Sequence, residues 1–356
     1  MSRFVLAAGG TGGHMMPAHT LAGVLRARGH EVALITDERG RRIPGLFEGV
    51  DVQVMPAGRV RGGPVGWAKA WFGIRRGRAM ARQLFRRAPP RAVIGFGGYP
   101  AYPALLAALD AGIATGVHEQ NAVLGRVNRL LARRVDLIAT AYPQVQRLKP
   151  RDAAKVQLVG NPVREAVKRI GRAAFPPIWG DSAIRLLVTG GSQGATILSD
   201  VVPDGLGLLP LPLRTRLKVV QQCRPEDIER VRAAYARLAI PAELATYLED
   251  MPAVLANAHL VVARAGASTI SELTVAGRPA ILVPLPSAMD DHQTANAAEM
   301  AAAGGAVTIP QPEFTPERLA EAVAALSTHL PEAGEKAKAS GHPDAAERLA
   351  DLVEAL

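Results

Sequence analysis

The amino-acid sequence predicts an α/β protein with two Rossmann-like domains, each a parallel sheet covered by helices. A short apolar strand runs into the glycine turn 9–13 and then into a helix, and the same succession recurs around the glycine turn 190–194. The length of 356 residues suits two domains of roughly 150–200 residues better than a single core. We therefore expect one domain at 1–160 and a second at 164–340.

The first domain is predicted from strands that alternate with a helix and glycine turns. Its strands are expected at Arg3–Ala8, Glu31–Thr36, Arg91–Gly95, Gly116–His118 and Leu137–Ala139. Ala18–Arg28 is predicted to form a helix that ends at Gly29, between the first two strands. Such a βαβ unit requires a parallel sheet with a right-handed crossover.

The second domain repeats this pattern after a joint near 160–162. Its strands are expected at Ile184–Val188, Leu217–Gln221, Leu260–Ala263 and Pro279–Pro284, with helices between them. Ala173–Asp181 contains two adjacent prolines and is predicted to be a loop. The sequence of the last helix, Ala345–Leu356, is compatible with packing on either domain.

Composition excludes several classes of protein. Apolar residues make up 48% and charged residues 21%, so the chain has enough apolar surface to fold. Cys223 is the only cysteine, which rules out an internal disulfide and fits a reducing cytosol. The sequence reaches glycine too early for a signal-peptide core, and no run approaches roughly 18 apolar residues, so neither secretion nor a membrane span is expected.

Positive charge is concentrated in the first half of the chain. Residues 1–163 contain 24 Lys and Arg against 9 Asp and Glu, whereas residues 164–356 contain 18 against 23. No acidic residue lies between Asp51 and Asp110. This asymmetry predicts that the first half meets a large anionic partner, either a nucleic acid or an acidic membrane surface.

Each glycine turn sits where backbone N–H groups and a helix N-terminus can meet an anion. Neither turn has the G-x-G-x-x-G spacing of dinucleotide-binding proteins, and Asp37 is a poor candidate for the acidic residue of such sites. An NAD-dependent enzyme is therefore not favoured. A single turn of this kind can simply pack a helix on a strand, but two turns, one in each domain, favour phosphate binding.

His14 directly follows the first glycine turn, near the start of the expected helix. A helix N-terminus favours the neutral imidazole, which is the state that a general base requires. From position alone, a surface or capping histidine is the simpler interpretation.

The segment Arg264–Glu272 follows an apolar strand and opens a helix. Ser268 can serve as its N-cap and Glu272 as an acidic residue of its first turn, which is a purely structural interpretation. The functional interpretation is that free N–H groups here bind a phosphate or a base edge, while Glu272 accepts hydrogen bonds from ribose hydroxyls.

Two amides lie three residues apart near the end of the second domain. Gln293 and Asn296 can therefore face one ligand from a helix, and amides suit sugar hydroxyls because they both donate and accept. Asp290 and Asp291 are adjacent rather than spaced as a metal clasp, so we infer no bound divalent ion.

Several motifs share one order along the chain. They are Gly9–His14, Gly97–Tyr99, His118–Asn121 with Gly125 and Asn128, Gly160–Arg164, Gly190–Ala195, Arg264–Glu272 and Asp291–Asn296. In this order they resemble the MurG family, the N-acetylglucosaminyltransferases that make lipid II in bacterial cell-wall synthesis, over nearly the whole chain. His-Glu-Gln-Asn together with Gly-Gly-Ser-Gln-Gly-Ala is highly specific, whereas each glycine turn alone is weak.

The resemblance implies a GT-B fold, in which two Rossmann-like domains face a cleft and the C-terminal helix 341–356 returns to the first domain. It implies that the second domain binds UDP-N-acetylglucosamine as a substrate, with no cofactor. The substrate-binding residues it implies are Thr11, Gly12, Gly13 and Asn121 in the first domain and Arg164, Ser192, Leu248, Ala267, Ser268, Thr269, Ile270, Ser271, Glu272, Gln293 and Asn296 in the second. Ala101 departs from the family pattern, because members often carry a serine there, at a position of possible acceptor contact.

Among these residues the resemblance assigns particular roles. Ser192 would hold a phosphate, Leu248 would meet uracil, and Glu272 would take the ribose. The implied reaction is a single displacement that inverts the anomeric carbon, with N–H groups at 191–194 stabilising the leaving pyrophosphate. His14 is the expected base toward the muramyl C4 hydroxyl of lipid I. Glu119 is the rival base, or else a structural partner of its neighbours.

Three alternatives remain open at this point. A related transferase, such as one that adds galactose to diacylglycerol, would share the fold but use another acceptor. A UDP-sugar 2-epimerase would use two Rossmann-like domains but leave the basic first half unexplained. A nucleic-acid-binding protein would explain the charge, but the basic stretch contains no recognisable module and the glycine turns would have no role.

The segment Pro64–Arg87 is predicted to bind an anionic membrane surface. Trp67, Trp71 and Ile74 recur at helical spacing with Phe72 beside them. The basic residues around them are Lys69, Arg75, Arg76, Arg78, Arg82, Arg86 and Arg87, with no acid to neutralise their charge. Gly73 and Gly77 are expected to break the segment and leave Trp67–Ile74 exposed, whereas Met80, Leu84 and Phe85 are expected in the core.

A lipid acceptor remains in its bilayer, which decides between the two anionic partners. An enzyme without a spanning helix then needs a surface that binds the membrane near its acceptor. We therefore expect a peripheral protein on the cytoplasmic face of the plasma membrane, with no nucleic-acid partner.

Overall fold

The computed structural model describes residues 1–43, 45–56, 58, 63–191 and 194–356. Its contacts divide the chain into two compact units: unit 1 comprises 1–163 with 342–356, and unit 2 comprises 164–341. Each unit contains one sheet in which the paired strands run parallel. The predicted α/β class with two Rossmann-like parallel sheets is confirmed.

The sheet of unit 1 has seven strands. They are β1 (Arg3–Ala7), β2 (Glu31–Thr36), β3 (Asp51–Val54), β4 (Ala92–Gly95), β5 (Ala114–Glu119), β6 (Leu137–Thr140) and β7 (Val156–Leu158), in the order β3-β2-β1-β4-β5-β6-β7. The helices of this part of the chain are α1 (Gly12–Ala27), α2 (Glu38–Arg41), α3 (Gly63–Arg87), α4 (Ala101–Asp110) and α5 (Arg126–Leu131), with a 3-10 helix at Pro150–Lys155.

The sheet of unit 2 has six strands. They are β8 (Ile184–Thr189), β9 (Leu217–Gln222), β10 (Ala242–Ala245), β11 (Leu260–Ala263), β12 (Ala280–Leu282) and β13 (Ala306–Thr308), in the order β10-β9-β8-β11-β12-β13. Its helices are α6 (Glu165–Arg172), α7 (Thr196–Gly207), α8 (Leu211–Arg214), α9 (Ile228–Arg237), α10 (Met251–Asn257), α11 (Ala267–Ala276), α12 (His292–Ala302), α13 (Pro316–Ser327) and α14 (Leu330–Ala339). Two 3-10 helices lie at Met289–Asp291 and Gln311–Glu313.

Alternation along the central strand divides the core of unit 1 between the two faces of its sheet. Phe4 and Leu6 of β1 join one buried apolar cluster, and Val5 and Ala7 join another. The last helix, α15 (Ala345–Ala355), contributes Leu349 to the cluster that contains Phe4. The chain therefore ends in unit 1, where α15 packs against α1.

The strands that the sequence analysis did not identify are the four edge strands of the two sheets. They are β3 and β7 in unit 1, and β10 and β13 in unit 2. Each has partly exposed residues instead of a continuous buried run; β7, for example, exposes Gln157. A single-sequence pattern of apolar runs finds central parallel strands, which are buried on both faces, more readily than edge strands.

Two helices differ from the sequence prediction. The first, α1, begins at Gly12 and so includes the end of the glycine turn, whereas the sequence placed its start at Ala18. The basic helix α3 is continuous from Gly63 to Arg87, so the predicted break at Gly73 and Gly77 is wrong. Gly77 instead permits close packing, because a Cβ there would lie 2.5 Å from the carbonyl oxygen of Pro56.

Among the described residues, none of the helices combines the length and apolar character needed to cross a bilayer.

Candidate functional site

The sequence motifs gather at the carboxyl ends of the central strands within each unit. The strand order reverses between β1 and β4 in unit 1 and between β8 and β11 in unit 2. Open parallel sheets bind ligands in the crevice at such a reversal. The turn 9–13 and Gly97 follow β1 and β4, and Gly190 and Gly266 follow β8 and β11.

His14 lies in the first turn of α1, held between a hydroxyl and a pair of glycines. Thr11 Oγ1 lies 3.0 Å from His14 Nδ1. Gly97 and Gly98 have φ of 88° and 76°, and a Cβ on Gly97 would lie 3.2 Å from His14 Nε2. When Thr11 accepts the Nδ1 proton, Nε2 carries the lone pair that a base needs. Sequence reasoning did not identify this glycine cradle.

The glycines around His14 serve two different purposes. Gly12 and Gly13 are exposed, and nothing lies within 4 Å of a Cβ built on either one. Gly98 is crowded, because its Cβ would lie 2.7 Å from the Cα of Gly9. The open pair leaves backbone near the helix N-terminus accessible to a ligand.

The His118–Asn121 motif is mostly buried at the end of β5. His118 Nε2 donates to the Gly160 carbonyl at 2.9 Å, and its Nδ1 lies 3.0 Å from Gln120 Nε2. Burial lowers the pKa of His118 to about 4, so this imidazole is neutral. Glu119 is also buried, and Asn121 is the half-buried member of the motif.

The second glycine turn follows β8 in unit 2. Gly190 is closely packed, because a Cβ there would lie 2.4 Å from the nitrogen of Ala195. Gly191 has a φ of 77° and open space at its Cβ position. Thr189 Oγ1 accepts from the Gly191 N–H at 3.3 Å, which fixes the entry to the turn. Ser192, the predicted phosphate ligand, lies outside the described residues.

The start of α11 has no side-chain cap. Gly266, not Ser268, occupies the N-cap position, so the predicted capping role of Ser268 is wrong, and Glu272 lies beyond the first turn in which it was expected. Within the described part of the chain, Ser268 Oγ is buried and has no hydrogen-bond partner. The N–H groups of the first turn therefore keep their capacity for an anion.

The other residues predicted in α11 fall into different environments. Ile270 is buried in the core, so only its backbone is open to a binding role. Ser271 Oγ donates to the carbonyl of Ala267, itself a buried residue, at 2.8 Å. Thr269 is half-buried near the open end of the helix.

Glu272 forms an ion pair with Arg164, which immediately precedes α6. Arg164 donates from Nε at 3.0 Å and from Nη2 at 2.8 Å, both to Oε1. Burial raises the pKa of Glu272, and the Arg164 charge opposes that rise. The two residues that the sequence analysis assigned to the nucleotide are thus in direct contact.

Gln293 and Asn296 have different degrees of exposure. Gln293 is half-buried, and its Oε1 accepts from the N–H groups of Ala265 at 3.2 Å and Leu285 at 3.0 Å. Asn296 has no exposed surface, and its Nδ2 donates to the Ala265 carbonyl at 3.3 Å. Asn296 therefore supports the turn after β11, contrary to the expectation that both amides face one ligand.

Two further features complete unit 2. Arg264, which follows β11, donates to the carbonyl of Val283, which follows β12, at 3.1 Å. It thereby connects the ends of two neighbouring strands, a structural role that the sequence did not predict. Leu248 is half-buried in the loop after β10. This loop lies at the same carboxyl edge of the unit 2 sheet as the segments that follow β8 and β11. Among the described residues there is no cluster of three or more His, Cys, Asp or Glu side chains suited to a metal ion.

The helix α3 carries aromatic residues and arginines on its surface. Trp67 and Phe72 are each 66% exposed and Trp71 is 52% exposed, so the expected exposure of these aromatic residues is confirmed although the segment is helical, whereas Ile74 is half-buried. The guanidinium of Arg75 lies 4.6 Å from the ring centre of Trp71. Phe85 is buried as expected, whereas Met80 lies on the surface.

An acidic residue from another helix neutralises part of α3. Asp110, at the end of α4, accepts from Arg78 Nε at 2.6 Å and from Arg82 Nη2 at 2.7 Å. The expectation that no acid offsets these arginines is therefore wrong, because the pairing residue is distant in sequence. Arg75 and Arg76 are exposed and lie nearer the exposed aromatic residues along the helix.

Comparison with protein families matches most of the chain to glycosyltransferases. Residues 4–140 match the glycosyltransferase family 28 N-terminal domain, and residues 185–352 match the family's C-terminal domain. A Novosphingobium aromaticivorans protein is 60% identical over 354 residues, which cover 99% of this chain and 91% of the relative. A Zymomonas mobilis protein is 57% identical over 355 residues, covering 99% and 92%. Both are named UDP-N-acetylglucosamine–N-acetylmuramyl-(pentapeptide) pyrophosphoryl-undecaprenol N-acetylglucosamine transferase.

Comparison with solved structures supports the same family. The crystal structure of Acinetobacter baumannii MurG superposes with a TM-score of 0.82 and 30% identity, covering 100% of both chains. Staphylococcus aureus MnaA, solved with UDP, has a TM-score of 0.68 and 13% identity, covering 99% of this chain and 96% of its own. At that identity the second likeness concerns the fold alone.

Proposed function

This chain belongs to glycosyltransferase family 28 and, within it, to the MurG family, and we propose that unit 2 holds the sugar nucleotide while unit 1 supplies the base. The protein is an N-acetylglucosaminyltransferase that forms lipid II from UDP-N-acetylglucosamine and lipid I. The uncapped start of α11, with its buried Ser268 hydroxyl beside the Arg164–Glu272 pair, carries the donor part of the proposal.

In the donor site, the N–H groups at the start of α11 receive the diphosphate. The Gly191 N–H is already bonded to Thr189, and this glycine contributes open space at its Cβ position. Glu272 exchanges its Arg164 partner for the ribose hydroxyls, and Gln293 meets the sugar. As UDP leaves, negative charge grows on its diphosphate, and N–H groups that are already oriented stabilise that charge more than the ground state. Backbone N–H groups and Arg164 therefore stabilise the negative charge of the leaving diphosphate, and the reaction requires no cofactor.

The acceptor step uses His14. Its Nε2 removes the proton of the muramyl C4 hydroxyl as that oxygen attacks the anomeric carbon. The bond from the anomeric carbon to UDP breaks on the opposite face, so the configuration inverts. The Thr11 contact and the glycine cradle fix the ring, which is what proton transfer in the transition state demands.

Transfer of radiolabelled N-acetylglucosamine to lipid I tests this assignment. We expect His14→Ala to lower kcat by about 100- to 10,000-fold, because a base acts only as the acceptor attacks. The affinity for UDP, measured by calorimetry, should remain that of the parent. His19→Ala on the same helix is the matched control and should keep most of the activity. Near-normal turnover by His14→Ala would assign the base to another group.

We further infer that α3 binds the anionic cytoplasmic face of the membrane. Exposed Trp67, Trp71 and Phe72 supply apolar anchoring beside Arg75 and Arg76. Co-sedimentation with vesicles containing anionic lipid, at two salt concentrations, tests this inference. Trp71→Ser/Phe72→Ser and Arg75→Glu/Arg76→Glu should both lose binding, and added salt should release the parent protein.

A charge-reversed pair elsewhere on the same helix controls for net charge. Arg86→Glu/Arg87→Glu lies at the far end of α3 and should lose less binding than the reversal at Arg75 and Arg76. Equal losses would point to overall charge instead of a local patch. Full binding by both test variants would show that α3 does not contact the membrane.

A further inference from the structure

The carboxylate of Glu119 is surrounded by hydrogen-bond donors. Oε1 accepts from the backbone N–H and from Nδ2 of Asn121, both at 3.1 Å. Oε2 accepts from the Gly125 N–H at 2.7 Å and from Asn128 Nδ2 at 2.8 Å. The side chain is only 2% exposed. Each oxygen thus accepts two hydrogen bonds, and the buried carboxylate is closed to a substrate.

The chemistry of these partners requires the ionised form. All four groups are N–H donors, and an O–H on Glu119 would point at a donor in place of an acceptor. Burial raises the pKa of Glu119, and the four N–H donors oppose that rise. A carboxylate that took up a proton in each turnover would have to break one of these bonds each time. The arrangement therefore does not suit a general base.

The bonds from Glu119 organise the 119–125 loop and the start of α5. Gly125 is the N-cap of α5, and Asn128 lies in its first turn. Further along the loop, the Leu124 N–H donates to the Gln146 carbonyl at 3.0 Å. Asn121 is the half-buried side chain of the loop, and its Nδ2 is directed to the carboxylate. Glu119 thereby sets which end of the Asn121 amide faces away from it.

The loop lies at the edge of the sheet that also carries His14. Strand β5 pairs with β4, whose end bears the glycines around His14, and β4 pairs with β1. Carboxyl ends of adjacent parallel strands share one edge, so the loop and the base face the same crevice of unit 1.

We propose that Glu119 is a positioning residue: its ionised carboxylate holds Asn121, which the family resemblance assigns to substrate binding, and the 119–125 loop in the orientation that transfer to lipid I requires, and it takes no part in proton transfer. The proposal rests on the function proposed above, in which unit 1 meets the acceptor. It removes Glu119 as the rival base and gives a reason for the sequence His-Glu-Gln-Asn, whose first three members are buried.

The test compares Glu119→Gln, Asn121→Ala and the double variant in the lipid I transfer assay. Glutamine keeps the shape of the side chain but sets an NH2 group against N–H donors. We expect kcat/KM for lipid I to fall by about 100-fold in Glu119→Gln, with UDP affinity unchanged. Because Glu119 acts through Asn121, the double variant should lose no more than the larger single loss. Multiplicative losses, or full activity in Glu119→Gln, would overturn the proposal.

The pH dependence separates positioning from base catalysis. The residual activity of Glu119→Gln should keep the acid limb of the parent kcat/KM profile, because His14 remains as the base; loss of that limb would overturn the proposal. Should Glu119→Gln fail to fold, Asn121→Ala alone still tests the proposal. A kcat/KM for lipid I in Asn121→Ala equal to that of the parent would overturn it. A parent protein that transfers no sugar to lipid I would instead contradict the proposed function.

Discussion

The two units each place a carboxylate near the carboxyl edge of a parallel sheet, and the partners of those carboxylates differ. Glu119 of unit 1 accepts four bonds from neutral N–H groups of its own loop and of α5. Glu272 of unit 2 is half-buried and accepts from one guanidinium, that of Arg164, on one oxygen. Four neutral donors, two from the backbone and two from asparagine amides, bind both oxygens of Glu119 and leave no single partner to exchange. A single cation on a partly exposed side chain can give way to a ligand.

The largest effect expected from this contrast concerns folding. Glu119→Ala leaves four donors without an acceptor, most of them away from water, and should lower the free energy of unfolding of unit 1 by about 3–5 kcal/mol. Glu272→Ala leaves a partly exposed Arg164 that water can solvate, so the cost should stay within about 1 kcal/mol. Urea unfolding followed by fluorescence measures both. Equal losses in the two variants would remove the contrast.

Ligand affinity should show the reverse order. Glu272→Ala should weaken UDP binding by about 2–3 kcal/mol, since it removes charge-assisted hydrogen bonds to the ribose hydroxyls. Calorimetry with UDP is the measurement. Glu165→Ala, which removes an exposed carboxylate of the adjacent helix α6, controls for net charge and should bind UDP normally. A Glu272→Ala protein with parent-like affinity would mean that the Arg164–Glu272 pair only ties α6 to α11.

A third expectation concerns pH and the residue next to Glu119. The pKa of His118 is about 4 in the folded state, below its usual value of 6.5. In this pH range His118 is protonated in the unfolded chain but not in the folded chain. The free energy of unfolding therefore falls as pH falls from about 6.5 towards 4. Between pH 7 and 5 this contribution amounts to about 2 kcal/mol. His118→Gln should lower overall stability but remove that part of the slope in urea titrations.

His259 of unit 2 provides the counterpart. Its pKa is also lowered to about 4, chiefly by burial. His259→Gln should flatten the acid dependence of unit 2 and leave that of unit 1 as in the parent. If His118→Gln left the pH dependence of the free energy of unfolding unchanged, His118 would be protonated in the folded chain as in the unfolded chain.

The sequence predicted the central strands and the glycine turns, because those depend on local pattern. Glu31–Thr36 and Leu260–Ala263 match their predicted bounds. What the pattern could not supply is the partner of each side chain. Asp110 lies 32 residues from Arg78, and nothing near Arg78 in the sequence signals that acid. Likewise, a serine two residues after a glycine gave no indication that Gly266 would take the N-cap and leave the Ser268 hydroxyl oxygen buried.

The same limit applies to the two carboxylates. Glu119 ends a strand and Glu272 lies in the helix that follows one. The sequence offered a catalytic or a structural role for Glu119, and a ribose-binding or a structural role for Glu272. Burial and the identity of the donors distinguish them, and both depend on residues such as Asn128 and Arg164 that fold topology brings close. The sequence named most members of the site, but only the structure separates those that face a ligand from those that support it.

The smallest expected effect concerns how Arg164 contributes to UDP binding. It tests whether the paired guanidinium N–H groups are required or whether any positive charge at this position suffices. Arg164→Lys keeps the cation beside Glu272 but loses the paired N–H groups that reach Oε1 at 3.0 and 2.8 Å. UDP affinity should fall by about 1 kcal/mol, less than in Glu272→Ala, while stability stays unchanged. Calorimetry at two salt concentrations should also find UDP binding salt-sensitive, because a cation contributes to it. The Glu119 site contains only neutral donors, so the unfolding cost of Glu119→Ala should not respond to salt. A loss in Arg164→Lys as large as that in Glu272→Ala would show that guanidinium geometry, and not charge, holds the nucleotide.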